Sequence, residues 1–336
     1  MTSVGIDISA KDFVMVIGKN RKIVSTKTYS NDAKGIQLAA KRLHGKTPVQ
    51  VCLEATGSYH LDVAIGLSAV PNIEVMVVNP KVAKRFAEAL SQRTKTDKVD
   101  AGMLAIFGER MDFTAWQQPR NEVVALRACA RRLAALTDLK VKAKNQYHAL
   151  SVTETTPTFV LDDALLTVSQ LERQIANLKQ HTLDLIGSDD RLTETMELML
   201  TVPGIAETTT IQLMGELLVL PDDMKNRQWV ALAGLDPRQF TSGSSVHKQT
   251  RISKAGNRYL RMALYMPALS AAHHQPQIAA YYRHLIEDNG LKKMQALCAV
   301  MRKLLHAVHA ILKQRKPFDG ARFYTIPKPP IEVAAS

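Results

Sequence analysis

The chain of 336 residues is 46% apolar, carries three cysteines and has a formal net charge of +13. Its length passes the about 250–300 residues at which one hydrophobic core stops growing, so two or three domains are expected. Without a run of about 18 apolar residues no membrane-spanning helix is expected. The opening Met1-Thr2-Ser3-Val4-Gly5-Ile6-Asp7 lacks the basic-then-apolar order of a secretory signal. Cys52, Cys129 and Cys298 are widely spaced with no CxxC pair, which argues against a disulfide frame or a zinc site and for a cytoplasmic protein.

In chain order, residues 4–8, 13–17 and 22–28 are short β-rich runs separated by polar turns, the pattern of an antiparallel meander. Asn31-Asp32 caps a helical stretch to about His44. Compact apolar runs at 49–53 and 75–78 read as buried strands with a helical span, 59–69, between them. Asn79-Pro80 opens another helix, since proline suits the first helical turn. Residues 1–118 are therefore expected to form an α/β domain with helices on the faces of a mixed sheet. From Glu122 to about Leu150 the chain is long-helix material, and Pro157 breaks it. The next helix carries a heptad seam, Leu161, Ala164, Val168, Leu171, Ile175, Leu178, Thr182 and Leu185, the pattern of a coiled coil. Its partner is either a second chain, the preferred expectation, or the preceding helix in a hairpin, within a helical segment at 119–190. A mostly helical basic domain is expected at 191–318, interrupted by one Gly/Ser-rich loop at 241–245. A proline-bearing, poorly ordered tail is expected at 319–336.

The charge is unevenly placed. Sixteen Lys and Arg lie between Lys225 and Lys316 against Asp236, Glu287 and Asp288 alone, so that stretch carries as much net charge as the whole chain. A segment so depleted in acids points to nucleic acid as partner.

Four carboxylates stand out by context. Asp7 sits inside the apolar run Val4-Gly5-Ile6-Asp7-Ile8, where an unpaired charge costs several kcal/mol unless something compensates it. Glu54 closes Val51-Cys52-Leu53-Glu54. Asp97 and Asp100, three apart at a helix start, face one side. Singly, Asp97 reads as an N-cap, Asp100 as a partner of the helix dipole and Glu54 as a strand end. Together they form an acidic cluster that repels itself without cations, and Mg²⁺ (or Mn²⁺) suits such an all-oxygen environment. Two such ions about 4 Å apart stabilise the entering and leaving oxygens of phosphodiester exchange.

In the basic half, Thr201-Val202-Pro203-Gly204-Ile205-Ala206 resembles half of a helix-hairpin-helix, whose turn amides grip a phosphate, with Gly204 at its centre; a plain helix-loop-helix fits it equally. Beyond it come Ala233-Gly234-Leu235-Asp236-Pro237-Arg238, the loop Thr241-Ser242-Gly243-Ser244-Ser245, and Arg251-Ile252-Ser253-Lys254-Ala255-Gly256-Asn257-Arg258. A Ser-Gly-Ser-Ser loop alone is a flexible turn. Here Lys248 follows it, and Arg251, Lys254, Arg258 and Arg261 step by three and four, the spacing of one helical face suited to phosphates.

The strings GIDIS, CLEATGSY, VNP and KTDKVDAGMLA resemble the N-terminal DEDD domain of the transposases of the insertion-sequence family numbered one-ten, and AGLDPR, SGSS, SKAGN and LRMALYMPA resemble its second signature domain, in the same order to about Gly320. That resemblance implies a RuvC-like domain with the ribonuclease-H fold, with Asp7, Glu54, Asp97 and Asp100 as its metal-coordinating acids. It also implies Ser242 as the nucleophile that joins covalently to DNA, although spacing alone leaves Ser244 and Ser245 open. Closely related members are guided by a structured bridge RNA that pairs with target and donor DNA. A homodimer, or a tetramer of two dimers, follows by the same analogy. Two rivals are weighed beside it: a hydrolytic RuvC-like nuclease or junction resolvase in which water attacks, and a nucleoprotein that binds RNA or DNA without chemistry. The Gly-x-Asp strand also occurs in sugar kinases and actin-like ATPases, but the paired glycine-rich phosphate loops of those folds are missing here.

Overall fold

The computed structural model describes residues 2–19, 22–45, 48–57, 59–92, 94, 96–242 and 246–327, and at 240, 242 and 246–249 the backbone alone. The chain divides into two compact units, Met1–Gln118 and Pro119–Ser336. No helix among the described residues is long and apolar enough to cross a membrane.

The first unit is built on strands β1 (Thr2–Ile8), β2 (Asp12–Lys19) and β3 (Lys22–Ser30), followed by α1 (Ala33–Leu43), β4 (Val49–Glu54), α2 (His60–Ser68), β5 (Ile73–Val78), α3 (Pro80–Ala89) and α4 (Asp97–Arg110). Among the described residues the sheet has five strands in the order β3-β2-β1-β4-β5. The first three form the expected antiparallel meander, while β1, β4 and β5 run parallel. This mixed sheet with its covering helices is consistent with the ribonuclease-H-like arrangement. The caps read from sequence operate: Asp32 Oδ1 accepts the Gly35 N–H at 2.7 Å, and Asn79 Oδ1 accepts the Lys81 N–H at 2.9 Å ahead of Pro80.

Alternation along β1 decides what each face meets. Val4, Ile6 and Ile8 join Phe13, Met15, Val51, Leu53, Val63 and Leu67 in one core with α1 and α2. Ser3, Gly5 and Asp7 take the opposite face, where α4 lies. A Cβ on Gly5 would stand 1.9 Å from the Ala101 carbonyl oxygen and 2.3 Å from the Ala105 nitrogen, so helix backbone rests directly on strand backbone. Ser3 Oγ donates to the Ala105 carbonyl, and a Cβ on Gly108 would lie 3.3 Å from Cys52 Cβ. Small residues spaced along α4 thus press it onto β1 and β4. Cys52 is sealed beneath it, and burial pushes its thiol up to about 12, which leaves it inert.

The second unit opens with α5 (Asn121–Ser151) and α6 (Thr158–Gly187), which fold back on one another. The heptad seam is real as a pattern, with Val168 and Thr182 buried and its other members half-buried. Its partner, however, is α5 of the same chain, supported by a Lys144–Glu172 ion pair at 2.7 Å. Of the two partners weighed, the preceding helix, tethered by a short link and so at high local concentration, lies against it within the chain. Helices α7 (Asp190–Leu200), α8 (Glu207–Leu217) and α9 (Asn226–Ala233) follow. Next come strands β6 (Pro237–Ser242) and β7 (Val246–Ile252), then α10 (Arg258–His274), α11 (Pro276–Glu287), α12 (Lys293–Gln314) and α13 (Gly320–Phe323). Leu126 and Leu133 of α5 share one core with Leu192, Met199, Ile211, Leu264 and Leu304.

Two further expectations change. The region read as a Gly/Ser loop at 241–245 begins inside β6, part of an antiparallel hairpin pairing Pro237 with Ile252 at its base and Ser242 with Val246 near its tip. The tail expected to be poorly ordered after Pro317 is packed through Tyr324, and Thr325, Ile326 and Pro327 beyond it are exposed. Phe323 is buried, its ring lies 5.9 Å from that of Tyr281, and the Phe318 N–H donates to Thr201 Oγ1. Aromatic anchors outweigh the prolines there.

Gly5→Ala should force α4 away from the sheet and lower the stability of the first unit by about 1–3 kcal/mol or more. Urea unfolding followed through Trp116, which packs on the first core, in a Trp229→Phe background should show the loss. An unmoved midpoint would mean that α4 does not bear on Gly5.

Candidate active site

Asp7, Glu54, Asp97 and Asp100 all line one cavity of about 640 Å³ in the first unit. Each arrives by a different local rule. Asp7 lies two residues beyond Gly5 and so shares its α4-facing side of β1. Glu54 ends β4, next after Leu53, whose partner in β1 is Ile6, and it alternates onto the face of Cys52. Asp97 and Asp100 occupy the first turn of α4, whose N-cap is Thr96, its Oγ1 accepting the Val99 N–H at 3.3 Å. Asp97 is thus not the cap, as its isolated reading had it. Both aspartates sit where the positive end of the helix dipole favours carboxylates, which offsets part of their mutual repulsion.

Asp7, Glu54 and Asp100 are half-buried and Asp97 is exposed. As the side chains stand, no three carboxylate, imidazole or thiol groups among the described residues are close enough to ligate one ion together. The donor set is nevertheless all oxygen, the chemistry that suits a hard divalent cation. Five polar residues that the sequence did not single out share the cavity: Thr56, Lys84, Glu88, Gln92 and Thr94. Lys84 lies 3.9 Å from Glu88 one turn on, an exposed pair worth little, so its ammonium stays available to an anion. Its only signal was its place in the helix opened by Asn79-Pro80.

The serine motif is presented differently. The β6–β7 hairpin rises from a base in which two motifs interlock. The Asn257 N–H donates to the Leu232 carbonyl at 2.6 Å, the Lys254 N–H to the Gly234 carbonyl at 3.0 Å, and Ser253 Oγ to Asp236 Oδ1 at 2.6 Å. Gly256, at φ +110°, would place a Cβ 2.2 Å from the Leu232 carbonyl oxygen, and Gly234, at φ +65°, would place one 2.5 Å from the Ala255 carbonyl oxygen. Only residues without side chains fit there, and they lock AGLDPR to SKAGNR. Ser242 is the last residue of β6, near the hairpin tip. Its side chain and that of Lys248 lie outside the description, as do Ser244 and Ser245 altogether.

Beneath this base a buried charge cluster ties three helices together. Glu216 of α8 is 2% exposed. It accepts two hydrogen bonds from Arg131 of α5, at 2.7 and 3.1 Å, and one from Asn257 Nδ2 at 2.6 Å, with Arg127 Nη2 at 3.5 Å. Burial pulls the Arg127 pKa below its usual value, opposed by Glu216. Asn257 meanwhile caps α10, its Oδ1 accepting the Tyr259 N–H at 2.9 Å.

The four basic residues spaced by three and four do not share a helical face. Arg251 is in β7, Lys254 in the connecting turn at φ +50°, and Arg258 and Arg261 in α10. Helix spacing has meaning only inside a helix, and the Gly256-Asn257 stop-and-cap divides this set. Arg251 and Lys254 are exposed and form no ion pair among the described residues. Arg258 stands 3.6 Å from Asp138, and Arg261 is half-buried with Nη1 donating to the Ala233 carbonyl at 2.8 Å. Gly204, at φ +81°, turns its Cα to Pro267 of α10, where a Cβ would lie 2.6 Å from the carbonyl oxygen. Close packing accounts for this glycine, and Glu207 in the first turn of α8 adds a negative charge beside the amides.

Comparison with known proteins agrees with both halves. Residues 4–157 match a family described as a transposase, of the DEDD type named for IS110, and residues 196–283 match the transposase IS116/IS110/IS902 family. A pilin gene-inverting protein of Moraxella bovis is 30% identical over 327 residues, covering 95% of this chain and 98% of that protein. One of Moraxella lacunata is 30% identical over 330 residues, with the same coverage of 95% and 98%. The chain belongs to the IS116/IS110/IS902 transposase family, and it is a DNA transposase or recombinase.

Removing the carboxylate of Glu216 leaves two guanidinium groups unpaired in a buried setting, so Glu216→Ala should cost about 3–5 kcal/mol of stability in the second unit. Urea unfolding followed by Trp229 in a Trp116→Phe background measures it, with hydrogen exchange at β6 and β7 amides accelerated. Unchanged exchange in the hairpin would separate the cluster from the hairpin base.

Proposed function

We propose that this recombinase exchanges DNA strands through a covalent serine intermediate. In that reading the Ser242 hydroxyl attacks a scissile phosphate and loses its proton. A phosphoserine ester forms as the bond to the leaving 3′ oxygen breaks. The 3′ hydroxyl of a partner strand then attacks the ester and releases the serine, so no phosphodiester is hydrolysed overall. Asp7, Glu54, Asp97 and Asp100 are the residues that would hold Mg²⁺ (or Mn²⁺). Such an ion supplies charge stabilisation for the pentavalent phosphorus and the departing oxygen. The observation that carries this reading is the convergence of carboxylates from β1, β4 and α4 on one cavity.

The relatives' name adds support. A protein that inverts a gene must rejoin every end it cuts, and a covalent ester keeps the bond energy needed for rejoining. Arg251 and Lys254, exposed and in no ion pair among the described residues, are suited to DNA phosphates beside Ser242, with Lys248, Arg258 and Arg261 as further contacts and Gly204 the least supported. Target and donor DNA are the substrates, and a structured guide RNA belongs to the same reading through the family likeness. Self-association as a dimer or a tetramer of two dimers draws support from Phe159, Leu165 and Leu166 of α6. These stay exposed outside the seam that α5 occupies.

Two substitutions separate this reading from a hydrolytic nuclease. Asp7→Asn should abolish Mg²⁺-dependent strand exchange by at least about a hundredfold under either chemistry. Ser242→Ala should abolish the labelled protein–DNA adduct on a denaturing gel together with exchange. Cleavage that survives Ser242→Ala would eliminate the covalent route and leave water as the nucleophile.

A further inference from the structure

In the second unit, far along the chain from Ser242, α12 and the segment after it enclose a cavity of about 260 Å³. Its walls divide by chemistry. Ala310, Ile311 and Phe318 supply apolar surface, while His306, Lys316 and Arg322 supply polar groups. The space is below the roughly 300–1,000 Å³ of sites that take larger ligands, and no duplex enters it. His306 brings a ring nitrogen, Nε2, that is buried and has no hydrogen-bond partner among the described residues. Burial first, and Arg302 after it, hold this imidazole below its usual pKa, so the neutral ring offers one donor and one acceptor.

Three cations border the cavity against one carboxylate, Asp319. Asp319 is already engaged, accepting the Ala321 N–H at 2.9 Å and lying 3.5 Å from Arg322 Nε in an exposed pair. Lys303 has its ammonium 4.0 Å over the Tyr281 ring and no carboxylate beside it among the described residues, so its field is not cancelled. A bare phosphate would leave the apolar walls unused, and a purely apolar ligand would leave the cations and His306 unused.

We infer that this cavity receives one unpaired nucleotide of a nucleic-acid strand, its base between the apolar walls beside His306 and its phosphate against Lys316 and Arg322. The inference rests on nucleic acid being the partner of this recombinase. It adds a contact that distinguishes single-stranded from paired segments, by stacking and one base-edge hydrogen bond instead of groove reading. DNA and RNA strands offer the same chemistry, so both belong in the test.

The full chain is titrated with a blunt duplex and with the same duplex bearing a short overhang that carries 2-aminopurine, in DNA and RNA versions. The overhang should bind roughly tenfold tighter than the blunt duplex, with its fluorescence quenched by stacking. Lys316→Ala/Arg322→Ala, both at exposed positions, should remove that preference. Ala310→Phe, which fills the cavity without changing charge, should remove it too, with melting curves verifying that each variant is folded. Equal affinities for blunt and overhanging duplexes, or a preference intact in both variants, would overturn the assignment. Quenching of a free 2-aminopurine nucleoside monophosphate as strong as that of the overhang would overturn it in favour of a small-nucleotide site. Failure of the wild-type protein to bind any of the duplexes would overturn the nucleic-acid reading itself, a result distinct from loss of the overhang preference alone.

Discussion

The acid cavity depends on one backbone-to-backbone contact, α4 lying on β1 at Gly5. A helix normally rests about a side-chain length above a sheet. Here the missing Cβ at Gly5 and the small residues of α4 remove that layer, so the Ala101 carbonyl comes to where a strand side chain would stand. The first turn of α4 is thereby held close over the ends of β1 and β4, within reach of the cavity that Asp7 and Glu54 line. The same contact explains how an acid at position 7 is tolerated in an apolar strand. Asp7 is not in the core formed with α1 and α2. It lies on the α4 side, half-buried, and lines the cavity.

The second unit uses the same device for another end. Gly234 and Gly256 let two chain segments cross at a distance no side chain permits, and Ser253, Asn257 and Arg261 spend their polar groups inside that crossing. Residues that look chemical in the one-dimensional string are thus mostly architectural. They clamp the base of the β6–β7 hairpin. Glu216 extends the clamp into α5 and α8, where its charge is matched by two arginines and an asparagine instead of water. Breaking such a node is costly because it leaves buried charge uncompensated.

What was legible in the sequence follows from how local each signal is. Period-two alternation and turn residues marked β1 to β3, and the caps at Asp32 and Asn79 were visible because capping needs only residues within one turn. Asp7 was visible because its neighbours were apolar. The partner of the α6 seam was not, since a heptad states what a helix wants and not which helix supplies it. The three-and-four spacing of Arg251 to Arg261 carries no helical meaning, because Gly256-Asn257, a stop followed by an N-cap, starts the helix only at Arg258. Serine at 242 hid a strand end, because the pairing of β6 with β7 is fixed by a partner further along the chain and not by the Gly/Ser string itself. Lys84 and Thr56 were out of reach, because a cavity is assembled by tertiary packing that no short window contains.

The distribution of charge completes the physical picture. A cavity lined by five carboxylates, Asp7, Glu54, Glu88, Asp97 and Asp100, repels the phosphates that a DNA recombinase must handle, and Lys84, exposed and paired with Glu88, is too weak a counterweight to reverse that field. The excess positive charge of the chain lies between Lys225 and Lys316, in the other unit. On the proposed reading, attraction to DNA and the acids therefore belong to different units, and the acids meet a phosphate on favourable terms only when cations neutralise them. On the proposed reading this separation is an advantage: long-range attraction belongs to residues that survive without metal, while chemistry is withheld until the ion arrives. A single domain holding both functions would pair its lysines with its own aspartates and lose each to the other.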